Sequence, residues 1–218
     1  MRVADLLFDL DGTLVDSAPV ILESFRRAIT ATGAPLVTPL DRSVIGAPLG
    51  PTLRRLTGLE DETRLAALAA AFRATYDDEG VRTTPGYPGL ADVLRTLAAK
   101  GRRLYVVTNK RALPTRAILD QLGVSGRCTG VYALDGVVPP AADKRALVGL
   151  VLERHGIVAA ECALVGDTVE DAAAARAHHL AFIAATYGYG SPLADPRYPA
   201  AGVLERLADL PALLERLP

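Results

Sequence analysis

Short apolar runs alternate with segments of helical periodicity along most of this chain. Apolar runs of this length are typical of strands that are buried on both faces of a parallel sheet. The pattern predicts strands over residues 3–8, 104–107, 130–134, 162–165, 180–184 and 203–204. Helices are predicted over residues 90–99, 113–122, 146–155, 172–178 and from 207 onward. Since strands that alternate with helices form right-handed βαβ units, we expect an α/β fold whose parallel sheet is covered on both faces.

The stretch between the first two predicted strands has a different pattern. Ser17 and Pro19 are typical of a helix start, and Gly33 is typical of a helix end. Four prolines then divide the chain into short pieces, and residues 61–76 have a strong Ala/Leu helical pattern. We find no strand pattern between residues 16 and 82. The sequence therefore predicts a discontinuous core, residues 1–15 and 84–218, with an inserted helical domain over residues 16–83.

Composition narrows the class of protein. The chain has 218 residues, half of them hydrophobic, and a formal net charge of −1, so no nucleic-acid surface is expected. Cys128 and Cys162 are the only cysteines and form no Cys-x-x-Cys pair, which fits a reducing compartment. The first apolar run is too short for a signal peptide, and no stretch suits a membrane span. We expect a cytoplasmic protein, with monomer and homodimer both open.

Carboxylate and hydroxyl side chains follow several predicted strands at the point where each ends. Asp9 and Asp11 come at the end of the first apolar run, and their spacing places both side chains on the same side of an extended chain. Thr108 follows the second strand, and Asp167 comes just after the strand over residues 162–165. Because the carboxyl ends of parallel strands meet at one edge of a sheet, we expect these residues to converge on one site.

The carboxylates in this group suit a divalent cation. Asp9, Asp11 and Asp167 offer hard oxygen ligands of the kind that Mg²⁺ prefers. Asp171 lies one helical turn beyond Asp167, so both can face the same site. Two close like charges also repel each other unless something binds them. A metal ion, or a division of labour between a nucleophile and an acid, would resolve that repulsion.

The remaining polar groups suit phosphate. Thr108 offers a hydroxyl beside a predicted helix N-terminus, and Lys144 offers a compact positive charge. A carboxylate such as Asp9 can attack phosphorus and form an aspartyl-phosphate, which splits one difficult step into two. Charge on the transferred group would then be met by Mg²⁺ and Lys144.

Four segments, in order, carry a resemblance to a known family. They are Asp-Leu-Asp-Gly-Thr-Leu-Val-Asp-Ser at residues 9–17, Val-Val-Thr-Asn-Lys at 106–110, the lysine segment around Lys144 and Gly-Asp-Thr-Val-Glu-Asp at 166–171. Over nearly its whole length the chain resembles the haloacid dehalogenase-like hydrolases, and specifically their phosphoglycolate phosphatase-like branch. The resemblance implies a Rossmann-like core with a helical cap domain inserted after the first strand. It also implies a Mg²⁺-dependent phosphatase that hydrolyses a small phosphorylated metabolite.

The resemblance also implies a role for each matching residue. Asp9 is the expected nucleophile and a metal ligand. Asp11 is the expected general acid and base, and its backbone carbonyl also reaches the metal. Metal binding is completed by Asp167 and Asp171. The expected catalytic residues that hold the phosphoryl group are Thr108 and Lys144, and Gly12 and Asn109 join them as expected phosphate-binding residues.

The chain departs from the family pattern at two places. Many relatives carry Lys-Pro in the third segment, whereas this chain has Lys144 followed by Arg145, so either residue could supply the third-segment cation. His178 and His179 stand where relatives often have Ala-Gly. A structural role is also open for several site candidates, because Thr108, Asp167 and Asp171 are of the residue types that cap or start helices.

Other functions on the same core remain open from the sequence. A sugar-phosphate mutase of the β-phosphoglucomutase type would keep Asp9 and Asp11 but must hold a second phosphate. A 2-haloacid dehalogenase would use Asp9 without needing a second acid, so the additional carboxylates argue against it. A pyrophosphatase and a non-catalytic protein of the same fold are further alternatives.

Two features of the inserted segment could bear on the site. The loop over residues 46–49 could reach the site or could only break a helix. Arg54 and Arg55 are expected on a solvated helix face.

Overall fold

A parallel sheet forms the centre of the molecule. The computed structural model describes residues 3–217, and its strands are β1 (Asp5–Phe8), β2 (Arg103–Thr108), β3 (Gly130–Ala133), β4 (Cys162–Gly166), β5 (Ala181–Ala185) and β6 (Gly202–Leu204). Their order across the sheet is β3-β2-β1-β4-β5-β6, and all neighbours are parallel. The predicted α/β fold is confirmed. The chain extends the sheet in opposite directions from β1, so the crevice for a ligand is expected at its carboxyl end.

Helices connect the strands and cover the sheet. They are α1 (Ala18–Thr32), α2 (Leu49–Thr57), α3 (Glu62–Thr75), α4 (Val81–Thr83), α5 (Leu90–Ala99), α6 (Ala112–Gln121), α7 (Lys144–His155), α8 (Val169–Ala177) and α9 (Leu210–Leu214). A wide helical turn, Tyr76–Gly80, joins α3 to α4. Among residues 3–217, no helix combines the length and the apolar character that crossing a membrane requires.

The two faces of the sheet are buried in separate apolar clusters. Leu6 and Phe8 of β1 belong to one cluster, while Leu7 between them belongs to the other. This alternation follows from the period of two along a strand, and burial on both faces explains why Leu6, Leu7 and Phe8 are consecutive apolar residues. The second cluster includes residues from α7 and α8, whereas the first includes residues from α5 and from the segment between β1 and β2.

That segment is helical, as predicted; within it the described structure contains no strand. We call residues 16–83 the helical insertion. Helices α1 and α3 pack against each other, with the rings of Phe25 and Phe72 4.4 Å apart between centroids. The ring of Tyr76 stacks on Phe72 at 5.4 Å. These residues belong to the same apolar cluster as Phe8, so the core of the insertion is continuous with that of the sheet.

Two helices begin earlier than the pattern predicts, and both shifts concern site residues. Helix α7 begins at Lys144 rather than near residue 146, because the Asp143 side chain accepts a hydrogen bond from the Ala146 amide. Helix α8 begins at Val169 rather than near residue 172, because Thr168 and Asp171 form a reciprocal capping box. Lys144 and Asp171 therefore lie in the first turns of helices, where their positions are fixed by backbone hydrogen bonds.

Candidate active site

The candidate residues converge at the carboxyl edge of the sheet. In the register of the strands, Phe8 lies beside Val106 of β2 and Val165 of β4. The residues that follow these positions therefore emerge side by side. Asp9 comes directly after β1, Thr108 ends β2 and Asp167 comes directly after β4. All three side chains are buried, as expected for groups that line a site rather than a surface.

Three carboxylates form a compact cluster. Asp9, Asp167 and Asp171 each offer an oxygen, and these atoms lie within 4.8 Å of one another. Thr168 holds Oδ2 of Asp171, donating from its amide at 3.0 Å and from its hydroxyl at 2.6 Å. Oδ2 of Asp167 accepts hydrogen bonds from the amides of Tyr189 at 2.8 Å and Gly190 at 3.2 Å. The cluster is thus held by loops of the core alone.

Lys144 is the cation that contacts this cluster. Its ammonium lies 2.5 Å from Oδ1 of Asp171 and 2.8 Å from Oδ1 of Asp9, and the residue is buried. The neighbouring Arg145 is exposed, and its carbonyl contacts the ring of His178 at 2.9 Å. Of the two candidates for the third-segment cation, the structure therefore brings only Lys144 to the carboxylates.

Burial raises the pKa values of two carboxylates in this cluster, because it removes the water that would stabilise their charge. Desolvation raises the pKa of Asp9 to about 8, although the nearby Lys144 charge acts in the opposite direction. Desolvation, reinforced by the Asp171 charge, raises the pKa of Asp167 to about 6. Burial alone would lower the pKa of Lys144, but the charges of Asp171 and Asp9 raise it overall. The carboxylates need more positive charge than Lys144 supplies.

A divalent cation fits this imbalance. The site contains four carboxylates with almost no solvent exposure, Asp9, Asp11, Asp167 and Asp171, against two buried ammonium groups, Lys144 and Lys110. With all four carboxylates ionised, the excess would be two negative charges. Oδ1 of Asp9 also lacks a well-aligned hydrogen bond, despite its 2.8 Å approach to Lys144. Oxygen ligands in this number and charge suit Mg²⁺.

Gly12 allows the first loop to approach Asp167. Its φ is +84°, and a Cβ atom at this position would lie 2.3 Å from Oδ2 of Asp167. The next residue, Thr13, donates its hydroxyl to Oδ1 of Asp167 at 3.4 Å. The structure therefore places Gly12 against a carboxylate, and only glycine fits both the backbone conformation and the space.

Asp11 forms an ion pair with a second lysine, Lys110. Lys110 Nζ donates to both carboxylate oxygens of Asp11, at 2.9 Å and 3.0 Å. The Ser17 hydroxyl donates to Oδ1 of Asp11 at 2.5 Å and makes no cap bond to α1, although the sequence predicts it to start that helix. The sequence predicted no site role for Lys110 and predicted Ser17 only as a helix start. Both residues lie inside segments that carry the family resemblance, residues 106–110 and 9–17, and that position was the signal that could have found them.

The end of β2 links the core to the helical insertion. The Thr108 hydroxyl accepts a hydrogen bond from the Lys110 amide at 3.2 Å, and α6 begins further on, at Ala112. The Asn109 amide group donates to the Gly46 carbonyl and to Glu170, both at 2.9 Å. Arg111 forms a two-point ion pair with Asp77, in the turn after α3. Residues 109 and 111 thus fasten two parts of the insertion to the edge of the sheet.

A cavity of ≈ 70 Å³ lies between this edge and the helical insertion. Asp9, Asp11, Thr108 and residues 109–111 line it from the core, and Gly46, Ala47, Leu49, Phe72 and Tyr76 are among its lining residues from the insertion. The loop over residues 46–49 therefore reaches the site. Oδ1 of Asn109 and the Tyr76 hydroxyl, like Oδ1 of Asp9, are buried without a well-aligned hydrogen bond to the described residues. Unpaired polar atoms around one cavity indicate a site built for a polar ligand.

Several other sequence candidates lie away from the cavity. The Arg54 side chain forms an ion pair with Glu62, and Arg55 is exposed and donates to the Ser43 carbonyl. His155 contacts the Tyr132 hydroxyl at 2.6 Å, at the edge strand β3. Cys128 and Cys162 are free thiols. None of these residues is among those that line the cavity.

Fold and site together define a class of protein: an α/β protein with a buried carboxylate cluster and a lysine at the carboxyl edge of a parallel sheet. The comparisons with known proteins agree. Residues 6–179 match the model of the haloacid dehalogenase-like hydrolases, so the chain belongs to that family. It is a phosphatase of this family, as the curated relatives below indicate.

Relatives and solved structures extend the comparison. A phosphoglycolate phosphatase from Rhodospirillum rubrum is 33% identical over 193 residues, covering 84% of this chain and 80% of the relative. A 5'-nucleotidase from Pseudomonas aeruginosa is 29% identical over 195 residues, with coverage of 88% and 86%. The structure of a haloacid dehalogenase-like family hydrolase from Streptococcus pneumoniae superposes with a TM-score of 0.83 at 23% identity, covering 96% and 97% of the chains. The last comparison concerns the fold alone.

Proposed function

We propose that this protein is a Mg²⁺-dependent phosphomonoesterase that hydrolyses a small phosphorylated metabolite through an aspartyl-phosphate on Asp9. The observation that carries the proposal is the position of Asp9. Its side chain lines the cavity, its Oδ1 lacks a well-aligned hydrogen bond, and it lies within the cluster formed with Asp167 and Asp171. A buried carboxylate beside further carboxylates and a lysine is suited to attack phosphorus once a cation offsets the excess negative charge.

The metal would be held by Asp9 and Asp167, with Asp171 supporting it and the Asp11 carbonyl as a further ligand. When bound, Mg²⁺ would supply positive charge to Asp9 and to the phosphoryl oxygens. Lys144 already contacts Asp9 and Asp171 and would share the charge of the transferred group. Thr108 and Asn109 would position that group from the end of β2, and Gly12 would let the first loop approach it.

The first half-reaction forms the covalent intermediate. A carboxylate oxygen of Asp9 attacks phosphorus, and the bond between phosphorus and the substrate's ester oxygen breaks. Asp11 gives a proton to the departing alkoxide, which leaves as an alcohol. Asp9 lines the cavity together with Asp11, so the attacking and protonating groups face the same bound ester.

The second half-reaction returns the enzyme to its starting state. Asp11 takes a proton from water, and the water oxygen attacks the phosphorus of the aspartyl-phosphate. The bond between phosphorus and the Asp9 oxygen breaks, which releases inorganic phosphate and regenerates the Asp9 carboxylate. Asp11 thus serves as the acid in the first half-reaction and as the base in the second. The roles are opposite because the second half-reaction resembles the first in reverse, with water in place of the alcohol.

Phosphoglycolate is the first candidate substrate, because a phosphoglycolate phosphatase is among the relatives with more than 30% identity. A cavity of ≈ 70 Å³ also favours a compact leaving group while the insertion lies against the sheet. Nucleoside monophosphates are the second candidate class, since a 5'-nucleotidase is similar over most of the chain.

A phosphate-release screen tests the proposal. The purified chain is incubated with phosphoglycolate, nucleoside monophosphates, pyrophosphate, hexose phosphates and p-nitrophenyl phosphate, in Mg²⁺ and in EDTA. We expect Mg²⁺-dependent phosphate release from at least one monoester, without a bisphosphate activator, and loss of that activity in Asp9→Asn with unchanged circular dichroism. Full activity in EDTA, or in folded Asp9→Asn, would contradict the proposal.

A further inference from the structure

Lys110 joins the end of β2, the catalytic loop after β1 and the helical insertion. Its ammonium donates to both oxygens of Asp11 and lies 4.5 Å from the ring centroid of Tyr76. The side chains of Lys110 and Asp11 are only 6% and 9% exposed, so solvent screens their contact little. Tyr76 is the first residue of the wide turn that follows α3. No other lysine of the described chain contacts Asp11.

The contacts distinguish the two oxygens of Asp11. Oδ1 accepts hydrogen bonds from Ser17 at 2.5 Å and from Lys110 at 2.9 Å, which occupies its two lone-pair directions. Oδ2 accepts only from Lys110, at 3.0 Å. Two contacts from one ammonium fix the rotation of the carboxylate plane. Oδ2 is therefore the oxygen left free to exchange a proton with the leaving group and with water.

We propose that Lys110 is a positioning residue that orients the Asp11 carboxylate for proton transfer, and that Tyr76 of the helical insertion holds Lys110 in place. The inference rests on the proposed function, because it assumes that Asp11 is the general acid and base. The contact between Lys110 and the Tyr76 ring is a cation–π interaction in a desolvated site. The orientation of a catalytic group in the core thus depends on a residue of the insertion.

A leaving-group comparison separates positioning from a general structural role. Nitrophenolate leaves without a proton, whereas an alkoxide needs one from Asp11. In Lys110→Met, kcat/KM, which covers only the steps up to the aspartyl-phosphate, is expected to fall about 10–100-fold further for an alkyl phosphate such as glycerol phosphate than for p-nitrophenyl phosphate. A merely structural defect would lower both rates by the same factor and would overturn the inference.

A double-variant cycle with Asp11→Asn tests whether Lys110 acts through Asp11. In the Asp11→Asn background, Lys110→Met is expected to change the rate with the alkyl phosphate less than twofold, because Lys110 then has no carboxylate to orient. The double variant also leaves neither Lys110 nor Asp11 as an unpaired buried charge. Full additivity of the two effects would overturn the inference. Should the single variant fail to fold, by circular dichroism, Lys110→Gln takes its place in the cycle.

Tyr76 provides the second arm and Arg154 the matched control. Tyr76→Phe keeps the ring but loses the hydroxyl, which also interacts with Lys110, so it is expected to shift the ratio of alkyl to aryl rates less than Tyr76→Leu does. Tyr76→Leu removes the ring as well and is expected to shift the ratio in the direction of Lys110→Met. Equal ratios in both variants would overturn the role of the ring. Arg154 lies over the ring of Tyr132 at 5.8 Å, on the surface, and Arg154→Met is expected to change neither rate.

The result also distinguishes this inference from the proposed function. If the wild-type chain releases phosphate from no monoester of the screen with Mg²⁺, the proposed function fails and the inference fails with it. If the wild type hydrolyses both and Lys110→Met keeps the wild-type ratio, the proposed function stands and only the inference fails.

Discussion

The candidate site has two sides that are built in different ways. The carboxylate side consists of Asp9, Asp167, Asp171 and Lys144, and its hydrogen bonds come from loops and helix starts of the core. The insertion side consists of Asp11, Lys110, Arg111 and Tyr76, and its contacts cross from the sheet to residues 16–83. The contacts of the first side lie within the core, whereas contacts of the second side join the core to the insertion.

This difference suggests how the two sides divide the work. The carboxylate side suits the chemistry common to phosphate monoesters, because it would hold the nucleophile, the metal and the phosphoryl group. The insertion side would face the leaving group of a bound ester, because its residues line the same cavity as Asp9. Changes on the carboxylate side should therefore affect every substrate equally, and changes on the insertion side should depend on the substrate.

The largest expected effect comes from Lys144. Lys144→Met removes the ammonium that contacts Asp9 and Asp171, so we expect kcat to fall about 1000-fold for aryl and alkyl phosphates alike. Steady-state kinetics on both substrates measures this. Arg145→Met is the matched control, because Arg145 is adjacent but exposed, and its activity should stay at the wild-type level. A fall in kcat for Arg145→Met would contradict the contrast between the two sides of the site. A fall in kcat for Lys144→Met that differs between the aryl and alkyl phosphates would contradict it as well.

A smaller effect is expected from Gly12. In Gly12→Ala, the positive φ and the approach of Cβ to Asp167 should together lower the free energy of unfolding by about 1–3 kcal/mol and raise the Mg²⁺ concentration needed for half-maximal activity. Denaturant unfolding and a Mg²⁺ titration measure the two effects. Gly33→Ala is the control, because Gly33 has φ +63° with nothing within 4 Å. It should lose about 1 kcal/mol without any change in the Mg²⁺ titration. Equal Mg²⁺ titrations for Gly12→Ala and the wild type would show that Gly12 does not influence the carboxylate side.

The smallest effect is expected from the ion pair between Arg111 and Asp77. Both side chains are 25% exposed, and the pair joins the core to the insertion. Arg111 also lines the cavity. Arg111→Gln should raise KM about 2–5-fold for substrates whose leaving group carries a negative charge, such as phosphoglycolate, while kcat for p-nitrophenyl phosphate stays constant. Asp77→Asn breaks the same pair but keeps the cation, so it should leave KM unchanged or lower it. An equal rise in KM for both variants would instead assign the effect to the bridge between core and insertion.

The carboxylate side could be predicted from the sequence, and the reason is topological. Asp9 and Asp167 each follow a strand and Thr108 ends one, and parallel strands bring their carboxyl ends together whatever the intervening loops do. Lys144 was less certain because its assignment depended on a helix start. The structure places Lys144 at the carboxylates because Asp143 caps α7 two residues earlier than the apolar pattern predicts.

The insertion side could not be predicted to the same extent. Tyr76 and Asp77 begin a wide helical turn after α3, and neither the Ala/Leu pattern nor helix propensity indicates which way such a turn faces. The loop that holds Asp167 through Tyr189 and Gly190 has no periodicity either. Pairings such as Arg111 with Asp77 depend on how the insertion packs on the sheet, which is a property of the whole tertiary structure.

The central claim, covalent catalysis by Asp9, is tested most directly by trapping the intermediate. Asp11→Asn removes the base for the second half-reaction, and p-nitrophenyl phosphate needs no acid for the first. We therefore predict that Asp11→Asn, quenched in acid after mixing with p-nitrophenyl phosphate and Mg²⁺, carries a phosphoryl group on Asp9, detectable by peptide mass spectrometry and absent in Asp9→Asn. Release of nitrophenolate with no phosphorylated Asp9 at any time point, or with the phosphoryl group on another residue, would contradict the account.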